Sequence, residues 1–335
     1  MLLLLVGACT APAGPVLQRS HGEAMGTTWS VSWLGPVPDE AEAEATIVAT
    51  LQQIDEAMST WRDDSELAAV RRGSGPVAVG EETYAVVRAA LQLAEATGGA
   101  FDPTVEPLME LWGFRGNPRT APPGDEAVAE ALGRIGWGRI ALERIAGVPH
   151  VDAGGTALDL SAIAKGHAVD RVSGAMSALG AIDHLVELGG EVRAHGHGPS
   201  GAWRLGVDQP VEGSAPGARL AATVRLINAG LATSGNYRNT YVVDGVRLAH
   251  TMDPRTGRPH ASTVLSASVI APDCRTADGW ATALMVLEPG ASLALIEARP
   301  GLEAMLLLSD GGAVIERSSS GASAWFDAPP LSADR

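Results

Sequence analysis

The sequence predicts an α+β fold of mixed, mostly antiparallel sheets with packed helices. Three observations carry that prediction. Long apolar rhythms of helical period fill the first half, short strand-like runs separated by glycine turns fill the second, and no internal repeat connects them. At 335 residues and 46% hydrophobic content, the chain is long enough for a large single domain or two lobes built on an ordinary core.

The N-terminus reads as a targeting segment. A short apolar run ends in Val6-Gly7-Ala8-Cys9, which resembles a bacterial lipobox. Residues 1–8 are therefore expected to be a lipoprotein signal segment, Cys9 the lipidated residue, and 9–20, rich in Ala, Pro and Gly, a flexible tether. Residues 21–320 would form the folded domain and 321–335 a tail. No later apolar run reaches the roughly 18 residues a membrane helix needs.

Within the domain, Thr28, Ser30 and Ser32 alternate with Trp29, Val31 and Trp33, a strand signal after the Met25-Gly26-Thr27 turn. Asp39 caps a helix through Ile47, Leu51, Ile54 and Met58, and the acidic stretch at Asp63–Leu67 opens another. Glu81–Thr97 is a third helix, stopped by Gly98-Gly99. Phe101–Val105 and Leu111–Phe114 form an irregular aromatic connector, followed by a proline-rich loop and a short helix at Asp125–Ile135. Leu158–Arg171 begins the next helix, with Ser161 at its N-cap and Ile163, Val169, Val172, Met176 and Leu179 on its apolar face. Strands are expected at His184–Leu188, Glu191–Ala194, Trp203–Val207, Leu220–Ile227, Tyr241–Val243 and Val264–Ile270, with Ala232–Tyr237 and His250–Pro259 as turns. Helices at Thr276–Val286 and Ala291–Ala298, then strands at Ala304–Leu308 and Ala313–Glu316, complete the fold.

Charge and cysteine content narrow the function. A net charge of −15 argues against a nucleic-acid partner, which would require a basic face. Of the two cysteines, lipidation of Cys9 would leave Cys274 alone, with neither a disulfide nor a thiolate metal site open to it. Neither a Walker loop nor a Rossmann fingerprint is present, and Ser161 and Lys165 are spaced S-x-x-x-K, not S-x-x-K.

What remains is a set of individually ambiguous positions. Lys165, the only lysine, lies near a helix N-terminus, where free N–H groups suit a phosphate or carboxylate; it also fits a solvated helix face. Asp278 and Thr282 are four apart, so their oxygens share one helix face and suit a hard cation such as Mg²⁺, or simply cap the helix. His250 precedes a turn and is either a general base or an exposed turn residue. His195-x-His197 has no third ligand in sight.

Taken in order, the motifs carry more than any one alone. Met25-Gly26-Thr27, Met58-Ser59-Thr60-Trp61, Gly99-Ala100-Phe101-Asp102-Pro103-Thr104, Leu158–Gly166 with Asp170, Leu188-Gly189-Gly190-Glu191, Ala232–Tyr237, His250 with Asp253–Gly257, and Ala277–Leu284 resemble the ApbE family, from about residue 22 to about 318. That family comprises FAD:protein FMN transferases of the bacterial envelope. The resemblance implies a fold related to the T-fold, with two lobes around an FAD cleft and Mg²⁺ at the diphosphate. It places metal ligands at Asp278, Thr282 and the carbonyls of Ala162 and Ala281. It places FAD contacts at Met25, Trp61, Ala100, Phe101, Asp102, Asp159, Lys165 and His250, with Ser234-Gly235 beside the cofactor. Trp61 stands where the family often has Tyr, keeping the stacking surface without the hydroxyl. The implied reaction transfers FMN from FAD to a Ser or Thr hydroxyl, releasing AMP, with His250 and Asp278 as catalytic residues. The implied acceptor is a flavoprotein subunit of an envelope electron-transfer complex, and the implied location is the periplasm-facing side of a membrane reached by the lipid anchor. Two alternatives stay open: FAD cleavage by water to FMN and AMP, and a flavin-binding envelope protein without turnover.

Overall fold

Alternation along the strands sorts apolar side chains onto the two faces of one large sheet, and that sorting sets the architecture. The computed structural model describes residues 16–116, 119, 121–211, 213–215, 217–236, 240–243, 246–249, 251–260 and 263–327. In chain order the elements are β1 (Leu17–Ala24), β2 (Thr27–Leu34), α1 (Glu40–Met58), α2 (Glu66–Arg72), β3 (Val77–Ala78), α3 (Glu81–Ala96), α4 (Glu106–Leu111), α5 (Asp125–Arg134), β4 (Ala141–Ile145) and β5 (Val148–Asp152). They continue with α6 (Ala164–Ala178), β6 (His184–Leu188), β7 (Glu191–His195), β8 (Trp203–Asp208), β9 (Leu220–Leu226), β10 (Gly230–Gly235), β11 (Thr240–Val243), β12 (Val246–Ala249), β13 (Met252–Asp253), β14 (Arg258–Pro259) and β15 (Val264–Ala271). The last are α7 (Cys274–Val286), α8 (Pro289–Glu297), β16 (Glu303–Asp310), β17 (Ala313–Ser318) and β18 (Phe326–Asp327).

The large sheet has eight strands in the order β1-β2-β6-β7-β10-β15-β16-β17, and each neighbouring pair is antiparallel. Ala232, Val269 and Leu306 point to one face, where they join the main core with residues of α1, α6 and α7. Their strand neighbours Leu231, Ile270, Met305 and Leu307 point to the other, where they meet Trp203, Val207, Ala222, Val224 and Leu226 of the small sheet β18-β9-β8. The period-two pattern thus builds a helix layer on one side and a second sheet on the other. A third cluster joins α4 and α5 to Met252 through Leu108, Trp112, Val128 and Ala131.

Several expectations change. Leu17–Ser20 belong to β1, paired with Val31–Leu34 of β2, so the expected tether gives up its last residues to the sheet. Phe326 and Asp327 pair with Val224 and Thr223, so the domain runs past residue 320 into the expected tail. Ala232–Gly235, expected as a turn, is strand: small polar residues suggested a loop, but each pairs with β15 between Ala267 and Ser266 at one end and Val269 at the other. Glu106–Leu111 is helical, with Pro107 tolerated in the first turn, where its missing N–H is not needed. Ser161 does not cap α6, which starts at Ala164 with Ile163 at the N-cap and no side-chain bond there. The Ser161 N–H instead donates to the Asp159 carboxylate at 2.9 Å, so Asp159 organises the turn before the helix.

Two contacts hold α6 in place. Gly166 faces α7 so closely that a Cβ there would lie 2.7 Å from Asp278 Cβ and inside contact distance of the Cys274 carbonyl oxygen. On the sheet side, buried His184 donates from Nδ1 to the Ala181 carbonyl at 2.9 Å and accepts at Nε2 from the Ser173 hydroxyl at 2.7 Å, which assigns the neutral tautomer. Burial pushes the His184 pKa down to about 4.

We expect Gly166→Ala to cost about 1–3 kcal/mol through overpacking between two backbones, lowering the urea midpoint at unchanged m. His184 is neutral in the fold and takes a proton near pH 6.5 when unfolded. Its contribution is therefore complete above that pH and is lost as pH falls toward about 4. Urea titrations across that window should show stability dropping on the acid side, with a shallower slope in His184→Asn.

Candidate functional site

The site is assembled on α7, whose first turn is tied down twice. Asp273 accepts from Thr276 N–H at 2.8 Å as the N-cap, and Asp170, reaching over from α6, accepts from the N–H groups of Cys274 and Arg275 at 2.9 Å each. One turn along the same helix stand Asp278 and Thr282. Asp278 is 3% exposed and one of its oxygens accepts from the Gly166 N–H at 2.9 Å. Thr282 Oγ1 lies 3.2 Å from Ser234 Oγ on β10. Lys165, in the first turn of α6, places Nζ 2.6 Å from Oε1 of Glu191, the first residue of β7. The left-handed pair Gly189 (φ 64°) and Gly190 (φ 104°) makes the tight turn that delivers Glu191 there.

These groups open into a cavity of about 670 Å³. Ala100, Phe101, Asp102, Asp159, Ala162 and Lys165 form part of its wall, Ser234, Gly235, Thr251, Asp278 and Thr282 another, and Val192, Leu205, Gly206, Val207 and Leu231 a further, largely apolar part. Six carboxylic residues (Asp102, Asp159, Glu187, Glu191, Asp208 and Asp278) line it against one lysine. Four of the six have their oxygens engaged elsewhere. Asp102 accepts from Thr104 N–H, Thr104 hydroxyl and Trp137 N–H at 2.8, 2.6 and 3.2 Å, Glu187 from Gly190 N–H and Ser30, and Asp208 from Gly217 N–H. Asp159 accepts from Arg115 at 3.0 Å, and the same guanidinium reaches Glu106 at 3.2 Å and lies 5.2 Å from the centre of the Trp61 ring.

Asp278 and Glu191 are different. They share one ammonium between them. Burial, then the charge of Asp278, pushes Glu191 up to about 8 against the pull of Lys165. Burial likewise raises Asp278 against Lys165 and the Gly166 N–H. Burial works against the charge of Lys165, but the two carboxylates outweigh it and its pKa is raised. Glu191 Oε2 is buried with no hydrogen-bond partner. The buried trio thus keeps one carboxyl oxygen without a partner, and its free donor atoms are oxygens alone. That chemistry fits a hard cation that completes its shell with ligand oxygens. Among the described residues no group of three His, Cys, Asp or Glu is placed to enclose a metal unaided.

The structure brings together Ala100, Phe101, Asp102, Asp159, Ala162, Lys165, Ser234, Gly235, Asp278 and Thr282. Three expected residues do not line the cavity. Ala281 is fully buried inside α7; Trp61 is 76% exposed on the segment between α1 and α2, reaching the site only through Arg115; Met25 occupies the left-handed β1–β2 turn (φ 49°). That turn adjoins the Gly189 turn, whose N–H donates to Thr28. His250 and Cys9 lie outside the described residues. Sequence reading gave no role to Arg115, for which spacing offers no signal. It gave none to Glu191 either, although a carboxylate directly after a glycine turn, on a strand that must alternate inward, marks a buried charge.

The ApbE family model matches residues 25–306. The chain is 35% identical over 334 residues to the FAD:protein FMN transferase of Vibrio cholerae serotype O1, covering 95% of each chain. It is 35% identical over 329 residues to that of Treponema pallidum, covering 92% of this chain and 89% of the relative. Among solved structures, the flavin transferase ApbE from Vibrio cholerae matches with a TM-score of 0.83 at 32% identity, over 93% of this chain and 99% of that one. The apo form of the Pseudomonas stutzeri flavinyl transferase ApbE matches equally, with a TM-score of 0.83 at 32% identity over 95% and 99%. The matched span takes in every residue that lines the cavity, and the chain belongs to the ApbE family.

Proposed function

We propose that this protein is an FAD:protein FMN transferase that moves FMN from FAD to a Ser or Thr hydroxyl of an acceptor flavoprotein and releases AMP. The observation that carries the reading is the oxygen cluster of Asp278, Thr282, Ser234 and Glu191 inside a cavity of ligand size. A diphosphate entering a wall with six carboxylic residues and one lysine needs a cation beside it. Asp278, Thr282 and Ala162 would hold Mg²⁺, with Ala281 retained only from the family resemblance. Bound there, Mg²⁺ supplies neutralisation of the diphosphate and polarisation of the phosphorus under attack.

The chain's own residues do the rest. Lys165 sets a fixed positive charge against the phosphates, and Glu191 holds its Nζ in place. Phe101, Val105 and Met109 give the flavin an apolar wall, while Arg115 steadies Asp159 at the rim. The acceptor oxygen forms a bond to the FMN phosphorus, the bond from that phosphorus to the bridging oxygen breaks, and AMP leaves with that oxygen. The hydroxyl proton passes to a base, for which His250 is the family candidate. The acceptor belongs to an envelope electron-transfer complex, and a lipid on Cys9 holds the enzyme at the periplasm-facing side of the membrane, a reading supported by the Val6-Gly7-Ala8-Cys9 motif.

With FAD, Mg²⁺ and an acceptor, AMP release should match covalent FMN on the acceptor; AMP with free FMN alone would make the protein a hydrolase. Asp278→Ala should lower transfer at least about a hundredfold, the rate equivalent of losing several kcal/mol of charge stabilisation, and full activity in that variant would remove the metal assignment. Cys9→Ser should shift the protein from the membrane fraction to the soluble one when cells are fractionated.

A further inference from the structure

A transfer enzyme must seat two substrates at one cavity, and the residues expected to touch FAD occupy only part of this one. The stretch Leu205–Asp208 of β8 also lines it, with Val192 and Leu231 alongside, and has no role in the reading so far. In a strand, successive side chains point to opposite faces, so a cavity that met a face of β8 would touch every second residue. Here four consecutive residues touch it. Leu205 and Val207 share one face, and Gly206 between them has no side chain, so its share of the lining is backbone and the cavity reaches the peptide groups of the strand.

One edge of β8 is open. β8 is the outer strand of the sheet β18-β9-β8, and its ladder runs only to β9, from Trp203↔Leu226 to Asp208↔Leu220 with a register shift between Val207 and Asp208. Among the described residues no other backbone hydrogen bond reaches Trp203–Val207. Gly206, in the middle, is exposed; the Leu220 side chain covers it where a Cβ would stand, and it adds no side chain of its own along the edge. The edge is also near the chemistry. Leu231 and Ser234 are three residues apart on β10, about 10 Å along a strand, and Ser234 Oγ lies 3.2 Å from Thr282 Oγ1.

We propose that the edge of β8 is the acceptor subsite, and that it takes an extended polypeptide segment as an added antiparallel or parallel strand, presenting the Ser or Thr hydroxyl toward Asp278 and Thr282. The inference rests on the transferase reading above. A polypeptide offers a row of N–H and C=O groups, the complement of an unpaired strand edge, whereas a dinucleotide has no such row. Backbone pairing supplies affinity and sets the distance to the phosphorus; the apolar groups of Val192, Leu205 and Leu231 then select small or apolar side chains beside the hydroxyl.

The test uses the full chain with FAD and Mg²⁺. Ten-residue synthetic peptides with one central threonine and randomised flanks are screened for covalent FMN, and the best acceptor is remade with single backbone N-methyl groups. Methylation at alternate positions on one side of the threonine should lower kcat/KM about tenfold each, the effect of one lost and unreplaced hydrogen bond, while methylation at the positions between leaves it within twofold. AMP release by water without peptide serves as the control. A benzoylphenylalanine placed near the threonine should crosslink to Leu205–Asp208 on irradiation. A flat methylation scan, or crosslinks confined to other elements, overturns the subsite while leaving the transferase reading intact. AMP release without FMN transfer to any peptide overturns both.

Discussion

The approach of α6 to α7 at Gly166 is the constraint on which the rest of the site depends. A residue without a side chain lets two backbones close to the distance at which the Gly166 N–H reaches the Asp278 carboxylate at 2.9 Å. Lys165, one residue earlier, is thereby aimed at the same place, and Thr282, one turn along α7, at Ser234 of β10. Asp170 closes the other end of the same contact by capping α7 from α6. The two helices are thus locked together by backbone donors and carboxylate acceptors at both ends of a glycine contact, and the functional side chains are by-products of that lock.

The lock also explains why the charge balance can be unfavourable. Two carboxyls sharing one ammonium in a buried setting cost stability, and Glu191 keeps an unpartnered oxygen. Such an arrangement persists only where surrounding packing over-determines it, and here the trio sits on the main core, with Ala164, Ala168, Cys274, Ala277 and Ala281 packed around it. The packing therefore fixes these oxygens in place, so little reorganisation would be left for the moment of binding a cation with its diphosphate.

The strands and helices were largely legible because their periodicities are strong: Trp29, Val31 and Trp33 alternate cleanly, and Ile47, Leu51, Ile54 and Met58 repeat at helical spacing. Errors fell where local chemistry and tertiary context disagree. Ala232–Gly235 has the composition of a turn, and only its place between β7 and β15 makes it strand. Ser161 looks like a cap, but Asp159 two residues earlier takes its N–H first. Of the site, the pair Asp278 and Thr282 was readable from an i, i+4 spacing, whereas the partnership of Lys165 with Glu191 joins residues 26 apart through a sheet and no local pattern carries it.

Arg115 shows most clearly what sequence leaves out and why it matters. It follows a Trp-Gly-Phe stretch that reads as a loop plug, yet its guanidinium spans from the buried Glu106 to Asp159 in the cavity wall, with the exposed Trp61 ring against it. Glu106 is raised by burial against the charges of Arg115 and Arg71, so removing Arg115 would leave Glu106 with Arg71 alone and Asp159 with the Ser161 N–H. Trp61, placed at the flavin by resemblance, does not line the cavity and meets its wall through this cation. A side chain that looks like a surface tryptophan is thus tied to the cavity wall, by a cation whose contacts with Glu106, Asp159 and Trp61 come from three separate segments of the chain.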